Sequence, residues 1–230
     1  MKRIKFLKKF SINKKNTFVF MTKFLSFKNK IKDFVNLKSN RKLIKEFLNI
    51  LKNQKTFDYG GDYFYQSSNL LKISGLRDTG KRIKEYRLQD YLLNKNILDI
   101  GTNTGFFLLE LDQNYNSALG VDYNENLIKV ANKSKEILNN KKVEFKCSKF
   151  EDLKFNVKFD FIFSCANHST YDKGINSLKY FDHVNSLLDK DGYLFLESHH
   201  PKYENHQKFV KIAQELIVKF DFQAIFEGIL

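Results

Sequence analysis

Short apolar runs alternate with amphipathic stretches along the second half of the chain. The runs NILDIG, SALGVD and FDFIFSC are almost continuously apolar, which is typical of parallel strands covered on both faces. The pattern predicts five strands, at 96–101, 117–122, 143–147, 159–165 and 192–198, and helices near 105–112, 124–139, 174–188 and 203–219. We therefore expect an α/β fold with a doubly wound, mostly parallel, Rossmann-like sheet.

The first part of the chain follows no such alternation. Residues 1–30 show no clean helical or strand period, whereas apolar residues between 31 and 51 recur at helical spacing with a break near Ser39 and Asn40. Two short basic helices are predicted there. We expect three regions: a basic extension, partly helical or disordered, a helical cover and an α/β core, over 1–55, 56–94 and 95–230.

The net charge of +14 is concentrated in the extension. Residues 1–55 contain 17 Lys and Arg against Asp33 and Glu46, while residues 56–230 are almost neutral. One interpretation is an arm that binds phosphate, on RNA or on an anionic membrane surface. The other is a solvated extension without a partner, which is what most charge runs are.

Composition limits the class of protein. A chain of 230 residues that is 42% hydrophobic can form one domain with a full core. No apolar run approaches the roughly 18 residues that cross a bilayer, and none resembles a secretory signal, so we expect a soluble, cytoplasmic protein. Cys147 and Cys165 show no metal-ligand spacing with the five histidines, so we expect a reducing compartment and no metal.

Two glycines, Gly101 and Gly105, flank the turn from the first core strand into a helix. Glycine allows the backbone to turn sharply and to approach a neighbour or a ligand closely. Asp122 ends the next strand, where its carboxylate could accept hydrogen bonds from both hydroxyls of a ribose. Because Asn103 stands where a dinucleotide site needs a second glycine, and Asp99 adds negative charge, the loop points to a nucleoside cofactor other than NAD.

Five motifs in this order resemble those of the class I S-adenosylmethionine-dependent methyltransferases: ILDIGTNTG, LGVDYNENLIKVA, VEFKCSKFEDL, FDFIFSCANHS and LLDKDGYLFLESH. The resemblance implies S-adenosyl-L-methionine as the cofactor. The loop residues Gly101, Thr102, Asn103 and Gly105 would pass beneath its methionine part, with Asp99 near the amino group. Asp122 would hold the ribose.

The resemblance also implies an adenine site. Tyr123 would pack on the adenine ring, and Ser148, Lys149 and Phe150 would border it. The family often has an aspartate at the position of Ser148, which leaves the contact to the adenine amino group open. Taken singly, each residue has a structural alternative: Asp99 and Asp122 as helix caps, Tyr123 and Phe150 as core aromatics.

The methyl acceptor is expected beside the loop after the fourth core strand, 165–172. His168 is the candidate base there, since a pKa near 6.5 suits proton abstraction, although a loop histidine that satisfies backbone groups is an equal alternative. Tyr171 and Asp172 are weaker candidates. His199, His200 and Pro201 could line the acceptor pocket, and Tyr65, Gln66, Arg77 and Arg82 of a helix–turn–helix cover could close on the cofactor or acceptor.

The sequence thus predicts a methyltransferase acting on an oxygen, or a nitrogen, of a small molecule or sugar. An RNA methyltransferase that uses the basic extension is one alternative, and an inactive cofactor-binding partner subunit is another. At the C-terminus a single strand is predicted, within 222–230, where the family usually has a hairpin of two. Either the chain is truncated or one sheet edge stays open, and an open edge favours a homo-oligomer.

Overall fold

The computed structural model describes residues 3–8, 15–36, 40–52, 63–165, 177–198 and 223–228. The strands in these ranges are β1 Arg3–Lys8, β2 Asn96–Ile100, β3 Ser117–Asp122, β4 Val143–Cys147, β5 Phe159–Cys165, β6 Leu188–Ser198 and β7 Gln223–Gly228. The helices are α1 Lys15–Asn36, α2 Arg41–Lys52, α3 Thr79–Tyr86, α4 Gln89–Leu92, α5 Phe106–Glu110, α6 Glu125–Ile137 and α7 Ser177–Leu187. None of these helices is long and apolar enough to cross a lipid bilayer.

The strands form one sheet in the order β4-β3-β2-β5-β6-β1-β7, and every neighbouring pair is parallel. The chain moves outward from β2 to β4 on one side and from β5 to β6 on the other. The strand order therefore reverses between β2 and β5, and ligands of such sheets bind at the carboxyl ends of the strands near this point. The predicted doubly wound fold is confirmed.

Both faces of the central strands are buried. In β5, Ile162 contributes to the hydrophobic cluster beneath α7, whereas Phe161 and Phe163 contribute to the cluster beneath α5. Side chains of a strand alternate between faces, so a run of apolar residues fills two cores at once. This explains why the central strands could be predicted from their apolar runs in the sequence.

The core elements lie where they were predicted, with small differences at their ends. β6 begins at Leu188, earlier than the predicted start at 192. The strand predicted within 222–230 is present as β7. The helix predicted near 203–219 lies outside the described residues.

Strand β1 was not predicted. It pairs in parallel with β6 on one side and β7 on the other, with Ile4 opposite both Leu194 and Ala224. Three of the six residues in its sequence RIKFLK are basic. The strand therefore could not be distinguished from the surrounding lysine-rich segment. Residues 3–8 thus add a strand to the sheet between β6 and β7.

Helix α2 packs against the core. Its side chains Ile44 and Phe47 are fully buried in a cluster with Phe64 and Phe106. The predicted break between two basic helices is present, since α1 ends at Asn36 and α2 begins at Arg41. The predicted bounds of the first helix were wrong, because α1 begins at Lys15, inside the segment 1–30 in which the sequence showed no helical period. The division of the chain at residue 55 stays a prediction.

The cover differs from the predicted helix–turn–helix. Residues 63–78 form a loop closed by bridges between Gln66 and Arg77 and between Ser68 and Ile73. In the described part of the cover, helix begins only at α3 and continues with the short α4. Lys72 takes a positive φ of 53° in the turn. Close approach explains Gly75, because a Cβ added there would lie 2.3 Å from the backbone of Gln66.

Candidate cofactor-binding site

The loop between β2 and α5 turns back beside the end of β3. The amides of Gly101 and Thr102 donate to the carbonyl of Val121 at 2.8 and 3.0 Å. Gly101, Asn103 and Gly105 have φ angles of 75°, 59° and 72°, in the left-handed region that favours glycine and asparagine. The loop conformation thus depends on the residue types found in it.

Gly105 also permits a close approach. A Cβ on this residue would lie 2.4 Å from the ring of Phe145 and 2.9 Å from the Cβ of Ala131. Because Gly105 has no side chain, α5 can begin directly against β4 and α6. This agrees with the close approach expected of a glycine at the start of the helix.

The Asp122 carboxylate lies at the carboxyl end of β3, half-buried beside the loop. Its Oδ2 accepts a hydrogen bond from the amide of Asn103, and its Oδ1 accepts one from the amide of Asn124, both at 3.0 Å. Each carboxylate oxygen can accept a second hydrogen bond. The group is therefore fixed in place and retains acceptor capacity for a ligand.

Helix capping does not explain Asp122. The cap of α6 is Asn124, whose side-chain oxygen accepts hydrogen bonds from the amides of Asn126 and Leu127 at 3.0 and 3.3 Å. This is the usual arrangement for an N-cap asparagine. The carboxylate of Asp122 is instead tied to the glycine loop, two residues before the cap, and its ribose role stays a prediction.

Asp99, the second carboxylate of the site, is buried near the end of β2. Burial raises its pKa from 3.8 to about 6, and nearby Asp122 adds to this, while a hydrogen bond with Thr102 and the charge of Arg82 oppose it. Burial also raises the pKa of Asp122, against the effect of its backbone hydrogen bonds. The two carboxylates together make this end of the sheet attractive to a cation.

The residues predicted to border the adenine are only partly brought together. Tyr123 is exposed next to Asp122, and the amide of Ser148 donates to the carbonyl of Asp122 at 2.9 Å. Lys149 is exposed beside Ser148. Phe150, in contrast, is buried in the core, where its ring lies 5.2 Å from that of Tyr180.

The cover contributes Gln66 to the glycine loop. Its amide Nε2 donates to the carbonyl of Thr102 at 3.4 Å, and its Oε1 accepts from the hydroxyl of Thr104 at 3.3 Å. Gln66 is itself buried. The cover thus holds the loop through side-chain hydrogen bonds, and no local pattern in the sequence would pair residues 36 and 38 positions apart.

Arg82 does not reach out to a ligand, as the sequence had suggested it could. Its guanidinium donates to the Glu197 carboxylate at 2.9 Å and to the hydroxyl of Tyr86 at 2.9 Å, and the Tyr86 hydroxyl donates to Glu197 at 2.6 Å. All three residues are buried. The ion pair fastens α3 to the end of β6, and Glu197 was not among the predicted site residues.

The acceptor side of the predicted site lies outside the described residues. This applies to the candidate base His168 and to Tyr171, Asp172, His199, His200 and Pro201. Their roles stay predictions. The described parts of β5 and β6 end at Cys165 and Ser198.

Comparison with known families decides the class of protein. A family model described as a methyltransferase domain matches residues 93–227, more than half of the chain. The chain belongs to this methyltransferase family. The match confirms the family predicted from the five motifs and, with it, S-adenosylmethionine as the cofactor. No curated protein matches the sequence.

Solved structures share the fold over part of the chain. The N-methyltransferase NodS from Bradyrhizobium japonicum WM9 is 15% identical, with a TM-score of 0.50 over 59% of this methyltransferase and 78% of NodS. An S-adenosylmethionine-dependent methyltransferase from Clostridium acetobutylicum is 25% identical, with a TM-score of 0.44, covering 52% of this chain and 50% of that one. PKMT2 from Rickettsia typhi, solved with AdoHcy, is 28% identical, with a TM-score of 0.41, covering 45% and 20%. The chain thus spans half or less of the Clostridium and Rickettsia proteins.

Proposed function

We propose that this protein transfers a methyl group from S-adenosylmethionine to an oxygen, or a nitrogen, of a small molecule or sugar. The observation that carries the proposal is the Asp122 carboxylate, held against the glycine loop at the end of β3 in a chain that belongs to a methyltransferase family. The residues present at this end of the sheet fit the cofactor.

The ribose and methionine parts have candidate partners in the described structure. Asp122, whose two oxygens each accept one backbone hydrogen bond, would accept hydrogen bonds from the two ribose hydroxyls with its remaining lone pairs. The loop from Gly101 to Gly105, with Thr102 and Asn103, would hold the methionine part, because its left-handed turns allow the backbone to approach a ligand closely. The Asp99 carboxylate, when it is ionised, would attract the ammonium group of the methionine part.

The adenine ring is proposed to lie against the loop after β3 and the turn after β4. Tyr123 offers an exposed aromatic face next to Asp122, and Ser148 is tied to the same residue by a backbone hydrogen bond. Lys149 would border the ring from the surface, whereas Phe150 is buried in the core and would only support the turn from below.

When bound, S-adenosylmethionine supplies an activated methyl group on a good leaving group. The main task of the protein is then to hold the acceptor in line with the methyl carbon and away from water. We propose that His168 removes the proton from an acceptor hydroxyl, because its ordinary pKa lies near neutral pH. A basic side chain is needed only for an acceptor that carries a proton.

Replacement of His168 tests the proposed base. We expect His168→Ala to lower turnover by about 10²- to 10⁴-fold, the usual contribution of a general base. Affinity for S-adenosylhomocysteine, measured by calorimetry, should not change, because His168 acts on the acceptor. Turnover equal to that of the unmodified protein would remove His168 from the mechanism.

Transfer of a labelled methyl group separates this proposal from its two alternatives. The full chain is incubated with labelled cofactor and either a small-metabolite extract or an RNA extract. Label in the small-molecule fraction supports the proposed acceptor class, and label in RNA supports the alternative based on the basic segment 1–55. Cofactor binding without transfer to either extract would favour an inactive partner subunit.

A further inference from the structure

Helix α1 faces the rest of the protein with its polar side. Asp33 is buried and accepts hydrogen bonds from the hydroxyl of Tyr63 at 2.6 Å and from the amide and hydroxyl of Ser74 at 2.7 and 2.6 Å. Asn29 donates to the carbonyl of Gly75 at 2.9 Å, and Ser26 is buried. At 100° per residue these three side chains fall within a sector of about 60°. The helix is thus docked on the cover loop by hydrogen bonds.

The apolar side of α1 faces away from the protein. Phe24, Phe27, Ile31 and Val35 are 58%, 62%, 47% and 63% exposed, and their spacing places them in one sector of about 80°. We call these four residues the α1 stripe. It lies almost opposite the buried polar side. Scattered exposed apolar residues are ordinary, but four on one helical stripe mark an interaction surface.

Lysines border the stripe on both sides. Lys28 and Lys32 lie along one edge, Lys23 and Lys30 lie along the other, and all four are exposed. The single carboxylate between residues 1 and 45 is Asp33, which points the other way and is hydrogen-bonded. The surface that α1 presents is therefore apolar along its centre and positive at both margins.

We propose that the α1 stripe docks onto an anionic lipid bilayer, with the helix lying in the plane of the membrane. Phenylalanine and aliphatic side chains enter the boundary between headgroups and acyl chains, while lysines at the margins reach the phosphate and carboxylate groups of anionic lipids. The helix cannot cross the bilayer, because residues 23–35 of α1 carry four lysines and Asp33 in 13 positions. This docking is independent of the proposed methyl transfer.

The charge pattern favours a bilayer over the other occupants. A second copy of the chain packed stripe to stripe would bring eight lysines together without carboxylates to balance them. The phosphates of RNA would pair with the lysines. Ile31 and Val35, however, are aliphatic and offer no ring on which a base could stack, so they would face the polar RNA backbone. A bilayer with anionic headgroups satisfies both the apolar centre and the positive margins.

Cosedimentation with vesicles tests the proposal on the full chain. The vesicles contain phosphatidylcholine alone or with about 30% phosphatidylserine. We expect binding to the anionic vesicles, weaker binding to neutral ones, and weakening by salt. The variant Phe24→Glu/Phe27→Glu should lower the partition coefficient at least about tenfold, because it removes two large apolar side chains from the stripe.

Two further variants make the result specific. Ile137→Glu/Val157→Glu adds the same negative charge at apolar residues that are equally exposed but lie outside α1, and it should bind vesicles nearly as the unmodified protein does. Lys28→Glu/Lys32→Glu keeps the stripe and should abolish the preference for anionic lipid. Unchanged circular dichroism and cofactor affinity in each variant would show that the fold is intact.

Several results would overturn the proposal. One is the absence of vesicle binding by the unmodified chain, and another is equal binding by the Phe24→Glu/Phe27→Glu variant. A dimer in sedimentation velocity that this variant dissociates would assign the stripe to a second copy. An RNA gel shift without vesicle binding would assign the lysines to nucleic acid.

Discussion

Asp99 is a buried carboxylate whose ionisation lowers stability, and we propose that it raises the affinity for the cofactor. Burial raises its pKa to about 6, so at neutral pH the folded protein carries an ionised carboxylate at a cost. We expect Asp99→Asn to raise the free energy of unfolding at pH 7 by about 1–3 kcal/mol. The same change should weaken cofactor affinity, because the ammonium group of the cofactor would lose the carboxylate proposed to attract it. Urea unfolding and calorimetry measure the two effects.

The pH dependence of the Asp99 effect has a definite sign. An acid whose pKa is raised by folding favours the folded state when protonated, and that advantage is lost as the pH rises through the folded pKa. The stability difference between the unmodified protein and Asp99→Asn should therefore be small below pH 3.8 and full above about pH 6. A difference that does not change with pH would contradict the assigned ionisation of Asp99.

Gly105 tests the packing of the loop. Gly105→Ala combines a positive φ of 72° with a Cβ 2.4 Å from Phe145, so we expect a loss of about 2–4 kcal/mol in the free energy of unfolding. The matched control is Gly80→Ala in α3, whose Cβ would meet only the end of the Asn69 side chain at less than 3 Å. That control should be neutral or slightly stabilising, since alanine favours a helix more than glycine does. Equal losses in the two variants would refute the packing argument.

Among the elements, α3 depends on a buried ion pair with β6. Arg82→Met should cost about 3–5 kcal/mol in urea unfolding, because it leaves the Glu197 carboxylate buried without its cation. Lys129→Met is the control: Lys129 pairs with Glu125 on the surface of α6 at 2.8 Å, and its loss should cost less than about 0.5 kcal/mol. A loss below 1 kcal/mol for Arg82→Met would show that the pair is not needed to hold α3.

Elements could be predicted from sequence where one local pattern determines them. β2, β3 and β5 are apolar runs buried on both faces, and the glycines at 101 and 105 mark the turn at which a ligand loop begins. β1 was missed because its lysines suggested a solvated segment. Its pairing depends on β6, some 190 residues away, which no local period shows.

Contacts between distant side chains explain the rest of what the sequence did not reveal. Arg82 and Glu197 are 115 positions apart, and Gln66 reaches Thr102 across 36 positions. Each residue alone is compatible with a surface role or with a ligand contact. The position of Asp122 could be predicted because this residue ends an apolar strand. Its two backbone donors, the amides of Asn103 and Asn124, could not, because they meet it only in the folded turn.

At the scale of the whole molecule, the lysines of α1 and the proposed cofactor site lie on different elements of the described structure. The exposed lysines of α1 lie on the outward side of a helix whose polar side holds the cover loop, and that loop in turn supports the glycine turn through Gln66. The basic segment is thus packed onto the α/β core in the described ranges, and it leaves one face of α1 available to a partner.

Calorimetric titration with S-adenosylhomocysteine tests the central claim most directly, because it requires no knowledge of the acceptor. The unmodified protein should bind, and Asp122→Ala should bind at least about tenfold more weakly, since it removes the acceptor of two ribose hydroxyls. Asp160→Ala is the matched control: Asp160 also accepts a backbone hydrogen bond, from Asn96 at 2.8 Å, but at the opposite end of the sheet. Unaltered affinity in Asp160→Ala together with weakened affinity in Asp122→Ala is the predicted result. No binding by the unmodified protein, or equal binding by Asp122→Ala, would contradict the account.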